Sequence, residues 1–353
     1  MALEDYSWAD RMVHRMAFSA KAPQRMLREM EDSRFGETIA AQSITAPIFI
    51  TALPRAGTTL LLELLAKHPD VVTHTYRDMP FVLSPVIWRQ FSGRFHAKQD
   101  AKERSHGDGI MVSADSPEAF EEVFWLNHCA EDFSGGAIAL RETMTAPTKT
   151  AMRQHMRALM LSRGASNARY ASKNNANIAR LPALAQAFPD AHIIVPLRNP
   201  LDQAQSLLHQ HTKALASHSA SAFAARYPRD IGHFEFGADH RPIMFPGMEQ
   251  VRADHSPDTL DYWLAYWIAA MRHAKESRSA RFVDMTGFTH DPQGVLALYH
   301  LLGLEAAPEA SAVAQAMVKA IRSYDTPVES TLADEALGLF EKLGGTMAGS
   351  LSA

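Results

Sequence analysis

The chain has 353 residues, 46% hydrophobic and 21% charged, a balance that suits a globular core and not a disordered chain. Its formal net charge is −4, so bulk charge recruits neither nucleic acid nor an anionic membrane, and an anionic ligand needs a local cationic patch. The single cysteine, Cys129, excludes an intramolecular disulfide and zinc-thiolate sites.

The opening run MALEDYSWADRMVHRM is charged throughout and lacks the apolar stretch of a secretory signal. No run approaches the roughly 18 apolar residues of a membrane span, so the sequence reads as soluble and cytoplasmic. Residues 1–44 form a helical N-terminal extension, with Met12, Met16, Met26, Leu27 and Met30 as its apolar points. PIFITAL (Pro47–Leu53) is continuous rather than alternating, as a parallel strand buried on both faces should be. A helix follows from Thr58 to His68, then a short strand from Val71 to Tyr76. Ser116-Pro117 has the pattern of a helix start, leading into Phe120, Val123, Phe124 and Asn127. Glu121 and Glu122 fit the acidic first turn that the helix dipole favours.

Further along, a helix is predicted over Thr148–Arg163, a strand over Ala168–Asn174, a helix after Ile178, a buried strand over Ala191–Leu197 and a helix from Leu201 to His211. Residues 214–256 are rich in His, Pro and Gly and read as an irregular insertion, a lid, because long loops without regular structure are uncommon unless functional. Pro257–Ser277 is a helix whose Tyr262, Trp263, Tyr266 and Trp267 serve as core packing. A last strand, Ala280–Met285, precedes two helices near 291–302 and 330–343. Strands alternating with helices imply an α/β fold: one P-loop-type parallel β-sheet with helices on both faces, in a single domain spanning 1–353. The 17 histidines form no HExxH motif, and they read as surface or packing residues with no metal.

Three segments with chemical content directly follow strands, where ligands of such sheets bind. The turn PRAGTT (Pro54–Thr59) places Arg55 and Gly57 before a helix N-terminus, whose amides and dipole favour an anion. There Ala56 and Gly57 let the backbone approach closely, Thr58 and Thr59 add hydroxyl donors, and Arg55 adds a planar cationic fork. Lys173-Asn174 follows the third strand of the alternation. Arg198 ends the next strand, with Ser206 eight residues on.

TALPRAGTTLLLELLAKHPDV resembles the 5′-phosphosulfate loop of sulfotransferases, enzymes that use 3′-phosphoadenosine 5′-phosphosulfate (PAPS) and release 3′-phosphoadenosine 5′-phosphate (PAP). The form Pro-Arg-x-Gly-Thr-Thr is the one shared by tyrosylprotein sulfotransferases and many bacterial members. IIVPLRNPLDQAQSLL is similar to the family's 3′-phosphate element, with Arg198 and Ser206 at its arginine and serine. YASKNNANIARLPALAQAFPDAHIIV is similar to the segment carrying the family lysine, here Lys173, with Asn175 where proline is usual. The resemblance covers roughly 45–75, 170–210 and, weakly, 280–345. It implies sulfuryl transfer to a hydroxyl or amine acceptor of a small molecule, glycan or peptide. Arg55 and Lys173 would stabilise the transferred group, and AIRSYDTP, through Arg322 or Ser323, would be a further nucleotide contact. The family's Tyr-Glu or Tyr-x-Asp before the late Asp-Pro is absent, with Met285 and Thr286 in its place.

The acceptor needs a base. By the same resemblance, tyrosylprotein members carry a glutamate a few residues after the His-Pro and cytosolic members use a histidine. Here Asp78 is the nearest carboxylate in type and place and the first candidate, and His74 is the second, because an unperturbed imidazole titrates near pH 6.5. Two other functions share part of this pattern: a P-loop kinase or nucleoside triphosphatase, which would need a Walker lysine that the turn lacks, and a PAPS- or PAP-binding protein without catalysis. The acceptor and the oligomeric state are not legible in the sequence.

Overall fold

The computed structural model describes residues 8–95, 102–103, 111–285, 293–305 and 330–345. The strands are β1 (Ile48–Ile50), β2 (Val71–Val72), β3 (Lys102–Glu103), β4 (Met111–Val112), β5 (Arg169–Lys173), β6 (His192–Leu197) and β7 (Ala280–Asp284). Five of them form one parallel sheet in the order β2-β5-β1-β6-β7, while β3 and β4 make a separate antiparallel pair. The chain leaves β1 for the β2 edge, returns to β5 beside β1, and crosses to β6 on the other side. The carboxyl end of β1 is therefore the switch point, where such sheets open a crevice.

The apolar run predicted for a two-sided strand behaves as one. Ile48 and Ile50 join the leucines of the helix Thr58–Ala66 and the helix Gln293–Leu302, whereas Phe49 faces the opposite core. All three are fully buried. The helices, in order, are α1 (Trp8–Ala17), α2 (Lys21–Ala40), α3 (Thr58–Ala66), α4 (Pro85–Phe95), α5 (Glu122–His128), α6 (Ala146–Ser162), α7 (Leu181–Ala187), α8 (Pro200–Ala220), α9 (Ala222–Ile231), α10 (Met248–Asp254) and α11 (Leu260–Ser277), followed by Gln293–Leu302 and Thr331–Lys342. Helix α3 buries Leu60, Leu61, Leu62, Leu64 and Leu65, each contributing about 2 kcal/mol of transfer free energy. That apolar load fixes the helix whose first turn forms the site. Tyr262, Trp263, Tyr266 and Trp267 of α11 are buried in the opposite core, as expected.

Several sequence expectations change. The N-terminal extension is two helices, and Met12, Met16, Met26 and Met30 lie on its outside, with Leu27 half-buried. Its inward face combines Ala17 and Ile39 with buried polar residues: Gln24 Nε2 donates to the Pro80 carbonyl at 2.8 Å, and Glu31 accepts from the Ile87 amide at 2.8 Å. Apolar spacing alone misassigns a helix that docks through such hydrogen bonds. Ser116-Pro117 does not start a helix, since Pro117 pairs with Thr75 in an isolated bridge and α5 begins at Glu122. Residues 214–256 are largely helical: α8 continues to Ala220, Ser221 caps α9 through the Ala224 amide, and α10 follows. Among the described residues, no helix is long and apolar enough to cross a membrane.

Candidate active site

The chain leaves β1 through Thr51 to Leu53 and turns sharply at Pro54–Gly57. Arg55 has φ 68° and Gly57 φ 100°. A non-glycine residue in the left-handed region carries about 1–2 kcal/mol of strain, so the surroundings must hold Arg55 in place. They do so from β6 and α8. Arg198 Nη1 donates to the Arg55 carbonyl at 3.0 Å, and Arg55 Nε donates to Ser206 Oγ at 3.0 Å. Gln203 Nε2 donates to the carbonyls of Leu53 (3.1 Å) and Pro54 (2.9 Å), and Trp267 Nε1 in turn holds the Gln203 Oε1 at 2.9 Å. Asn199 starts α8 by accepting from the amides of Leu201 and Asp202, which sets the phase that turns Gln203 and Ser206 toward the loop. Three of the residues singled out from sequence, Arg55, Arg198 and Ser206, thus form one connected cluster.

Gly57 is the N-cap of α3, and the first-turn amides of Thr58 and Thr59 have no intrahelical acceptor. A Cβ on Gly57 would stand 2.9 Å from the Met285 Cε and 3.3 Å from its Cγ. Met285, at the end of β7, is therefore the packing partner that keeps this loop tight.

Lys173 ends β5 level with Ile50 of β1. The turn after it is fastened to the loop: the Asn174 amide donates to the Ile50 carbonyl, Thr51 Oγ1 donates to the Asn175 carbonyl, and Thr58 Oγ1 donates to Asn175 Oδ1. Below it lies a buried polar network. Glu122 takes both terminal nitrogens of Arg180, at 2.7 and 2.8 Å, and the Asn174 amide group; Glu121 accepts from Tyr170, Asn177 and Trp125. These two carboxylates answer specific buried donors, a role that an acidic first turn does not disclose.

A cavity of about 250 Å³ opens above these elements. Pro54, Arg55, Thr58, Thr59, Lys173 and Asn175 form one side of it; Tyr76, Glu118, Phe120, Tyr227, Ile231, His233, Glu235 and Phe236 are on its lining as well. No sequence motif marks Glu118, His233 or Glu235. The last two sit in the stretch read as irregular, where no spacing marks them, although its density of His was a usable signal.

Asp78 and His74 are not on this lining. Asp78 is buried, accepts from the Thr75 amide at 2.8 Å and from Arg163 Nη2 at 2.6 Å, and lies 3.5 Å from His74 Nδ1. Burial pushes its carboxyl up, but His74 and Arg163 together outweigh that and hold it well below the usual range. His74 stacks on His155, their Nε2 atoms 3.0 Å apart. Both expected bases belong instead to a buried cluster that fastens the 3₁₀ turn Tyr76–Asp78 to α6. Arg322 and Ser323 lie outside the described residues.

A parallel sheet whose switch point carries a cationic helix-start loop, braced by a strand-end arginine and facing a strand-end lysine, is an α/β protein of the P-loop type. The chain belongs to the sulfotransferase family, whose model matches residues 47–242; it is a transferase. Among solved structures it is similar to sulfotransferase STF9 from Mycobacterium avium (13% identity, 95% of this chain and 85% of that one, TM-score 0.53). It is also similar to sulfotransferase STF1 from Mycobacterium tuberculosis H37Rv (19% identity, 97% and 87%, TM-score 0.51). At these identities the likeness concerns the fold. No curated protein matches the sequence.

Proposed function

We propose that the sulfuryl donor is PAPS and that the cavity brings it to a hydroxyl or amine acceptor. The observation that carries this reading is the convergence of Arg55, Arg198 and Ser206 at the carboxyl ends of β1 and β6, beside a cavity that Lys173 also lines. Arg55 and the first-turn amides of α3 bind the phosphosulfate end. Arg198 and Ser206 bind the 3′-phosphate. Lys173 stabilises charge on the sulfuryl oxygens and on the departing phosphate oxygen. Transfer is an in-line displacement: the acceptor atom forms a bond to sulfur, the bond from sulfur to the 5′-phosphate oxygen breaks, and its electron pair stays on PAP. As in phosphoryl transfer, such a reaction depends on positioning and cationic stabilisation.

The 214–256 segment supplies Tyr227, Ile231, His233, Glu235 and Phe236 to the cavity, which supports a reading of it as the acceptor wall. A wall that mixes apolar side chains with His233 and Glu235 suits a small organic acceptor that carries a polar group. A thermal-shift titration with PAP, ATP–magnesium and ADP tests the reading. A ligand at about 100 times its Kd adds roughly 2.7 kcal/mol to the folded state, so a shift with PAP alone is expected. A shift with ATP–magnesium in its place would favour a kinase or triphosphatase.

A further inference from the structure

The position after Lys173-Asn174 carries Asn175 where the resemblance leads one to expect proline, and the side chain that proline would lack reaches in two directions. Its Oδ1 accepts from Thr58 Oγ1 at 3.4 Å, on the anion loop, and its Nδ2 donates to Glu235 Oε1 at 2.9 Å, on the acceptor wall. Thr51 Oγ1 fixes its carbonyl at 3.2 Å, so the bridge starts from an anchored backbone. Thr58, Lys173, Asn175 and Glu235 all line one cavity. Asn175 engages one oxygen of the Glu235 carboxylate, Oε1. Glu118, the other carboxylate of the lining, has both oxygens engaged, one by the Tyr76 hydroxyl and one by the Ala119 amide. His233 has its Nε2 at the Ala119 carbonyl, 2.8 Å away.

We propose that Glu235 is the general base for the acceptor and that Asn175 positions it, joining the base to the sulfuryl-binding loop through Thr58. This rests on the PAPS reading above. The proton of the acceptor O–H or N–H passes to Glu235 Oε2 as the acceptor atom bonds to sulfur and the electron pair of the breaking sulfur–oxygen bond goes to the 5′-phosphate of PAP. Glu235 then releases the proton to solvent. Around its carboxylate, burial pushes its pKa up, while His233, Lys173 from the end of β5 and the Asn175 hydrogen bond together bring it below the ordinary glutamate range. The group is therefore ionised throughout the neutral range, ready to accept. The link to Thr58 also gives the base a fixed place relative to the donor, which a base on a separate element would not have.

The experiment uses the full chain with PAPS in single turnover under excess enzyme, with water as acceptor, reading sulfate release against pH, and PAP affinity by calorimetry. Glu235→Gln keeps shape and the Asn175 contact, and it is expected to slow release about 100-fold with PAP affinity within about threefold. In the wild type the rate should stay level from pH 8 to about 5 and fall only below the ordinary glutamate value near 4.3. Asn175→Ala should slow release roughly tenfold and move this acid limb upward, because a hydrogen bond that favours the ionised form is gone; a purely structural role would leave the limb in place. Glu235→Gln releasing sulfate as fast as wild type overturns the assignment. So does an acid limb near pH 6.5 that persists in Glu235→Gln and vanishes in His233→Asn, which would make the imidazole the base. A wild type that fails to bind PAP would instead overturn the donor reading, a separable result.

Discussion

Arg55 Nε donates to Ser206 Oγ at 3.0 Å, linking the loop after β1 to the second turn of α8. The bond aligns a guanidinium whose backbone sits in the left-handed region. Ser206→Ala removes one side-chain hydrogen bond to a charged group, a loss of about 1.5–3 kcal/mol shared between loop order and ligand affinity. PAP affinity should fall about tenfold, with unfolding free energy lowered by at most about 1 kcal/mol. Calorimetry and urea unfolding on the same protein separate the two.

The contact between Gly57 and Met285 predicts a coupled pair. Gly57→Ala places a Cβ at φ 100° and against the Met285 side chain, and PAP affinity should drop at least tenfold. Met285→Ala alone creates a cavity costing about 2–4 kcal/mol of stability with affinity within about threefold. In the Met285→Ala background, Gly57→Ala should cost less affinity than in wild type. Equal costs in both backgrounds would mean that Met285 does not brace the loop.

Asp78 is expected to matter for stability and not for chemistry. Asp78→Asn leaves the Arg163 guanidinium without its carboxylate, which costs about 3 kcal/mol when such a partly buried pair is broken. The folded pKa of Asp78 is lowered, so its stabilisation is complete above the unfolded value near 3.9 and is lost as pH falls toward the folded value. The wild-type advantage over Asp78→Asn should accordingly be level from pH 5 to 8 and shrink below about pH 4. Sulfate release by the folded variant should stay within about threefold of wild type.

Glu31 behaves in the opposite sense. Burial is the dominant cause that pushes its carboxyl up to about 7, against the Ile87 amide and Arg28, which pull it down. A carboxyl with a raised folded pKa favours folding fully only below its unfolded value near 4.5, and that contribution is lost as pH rises through 7. The loss amounts to roughly 3 kcal/mol. Glu31→Gln should therefore gain on wild type between pH 5 and pH 8 in urea unfolding. A difference independent of pH would contradict the assignment.

Much of this arrangement could be read in the chain before any coordinates. The buried strand before Pro54, the helix-start turn, Lys173 at one strand end and Arg198 with Ser206 at another were local patterns, each tied to a backbone conformation, and the parallel sheet brings them together. The proposed base is not legible that way. Asp78 matches in type and rough place the glutamate that tyrosylprotein sulfotransferases carry after His-Pro, but Arg163 of α6 is a partner 85 residues away in sequence, and only the packed structure reveals that contact. Glu235 and Asn175 meet across 60 residues for the same reason. The exposed methionines of α1 and α2 show a related limit: periodicity marks an apolar face, but it does not say which face the core selects when Gln24 and Glu31 hold the inner one.

The most direct test of the central claim, that Arg55 and Arg198 hold a PAPS-type nucleotide, is PAP affinity by calorimetry for wild type, Arg55→Ala and Arg198→Ala. Each guanidinium removed from a phosphate is worth about 1.5–3 kcal/mol, so each variant should bind PAP about 10- to 100-fold more weakly while remaining folded. Wild-type affinity in both folded variants would contradict the account at its centre.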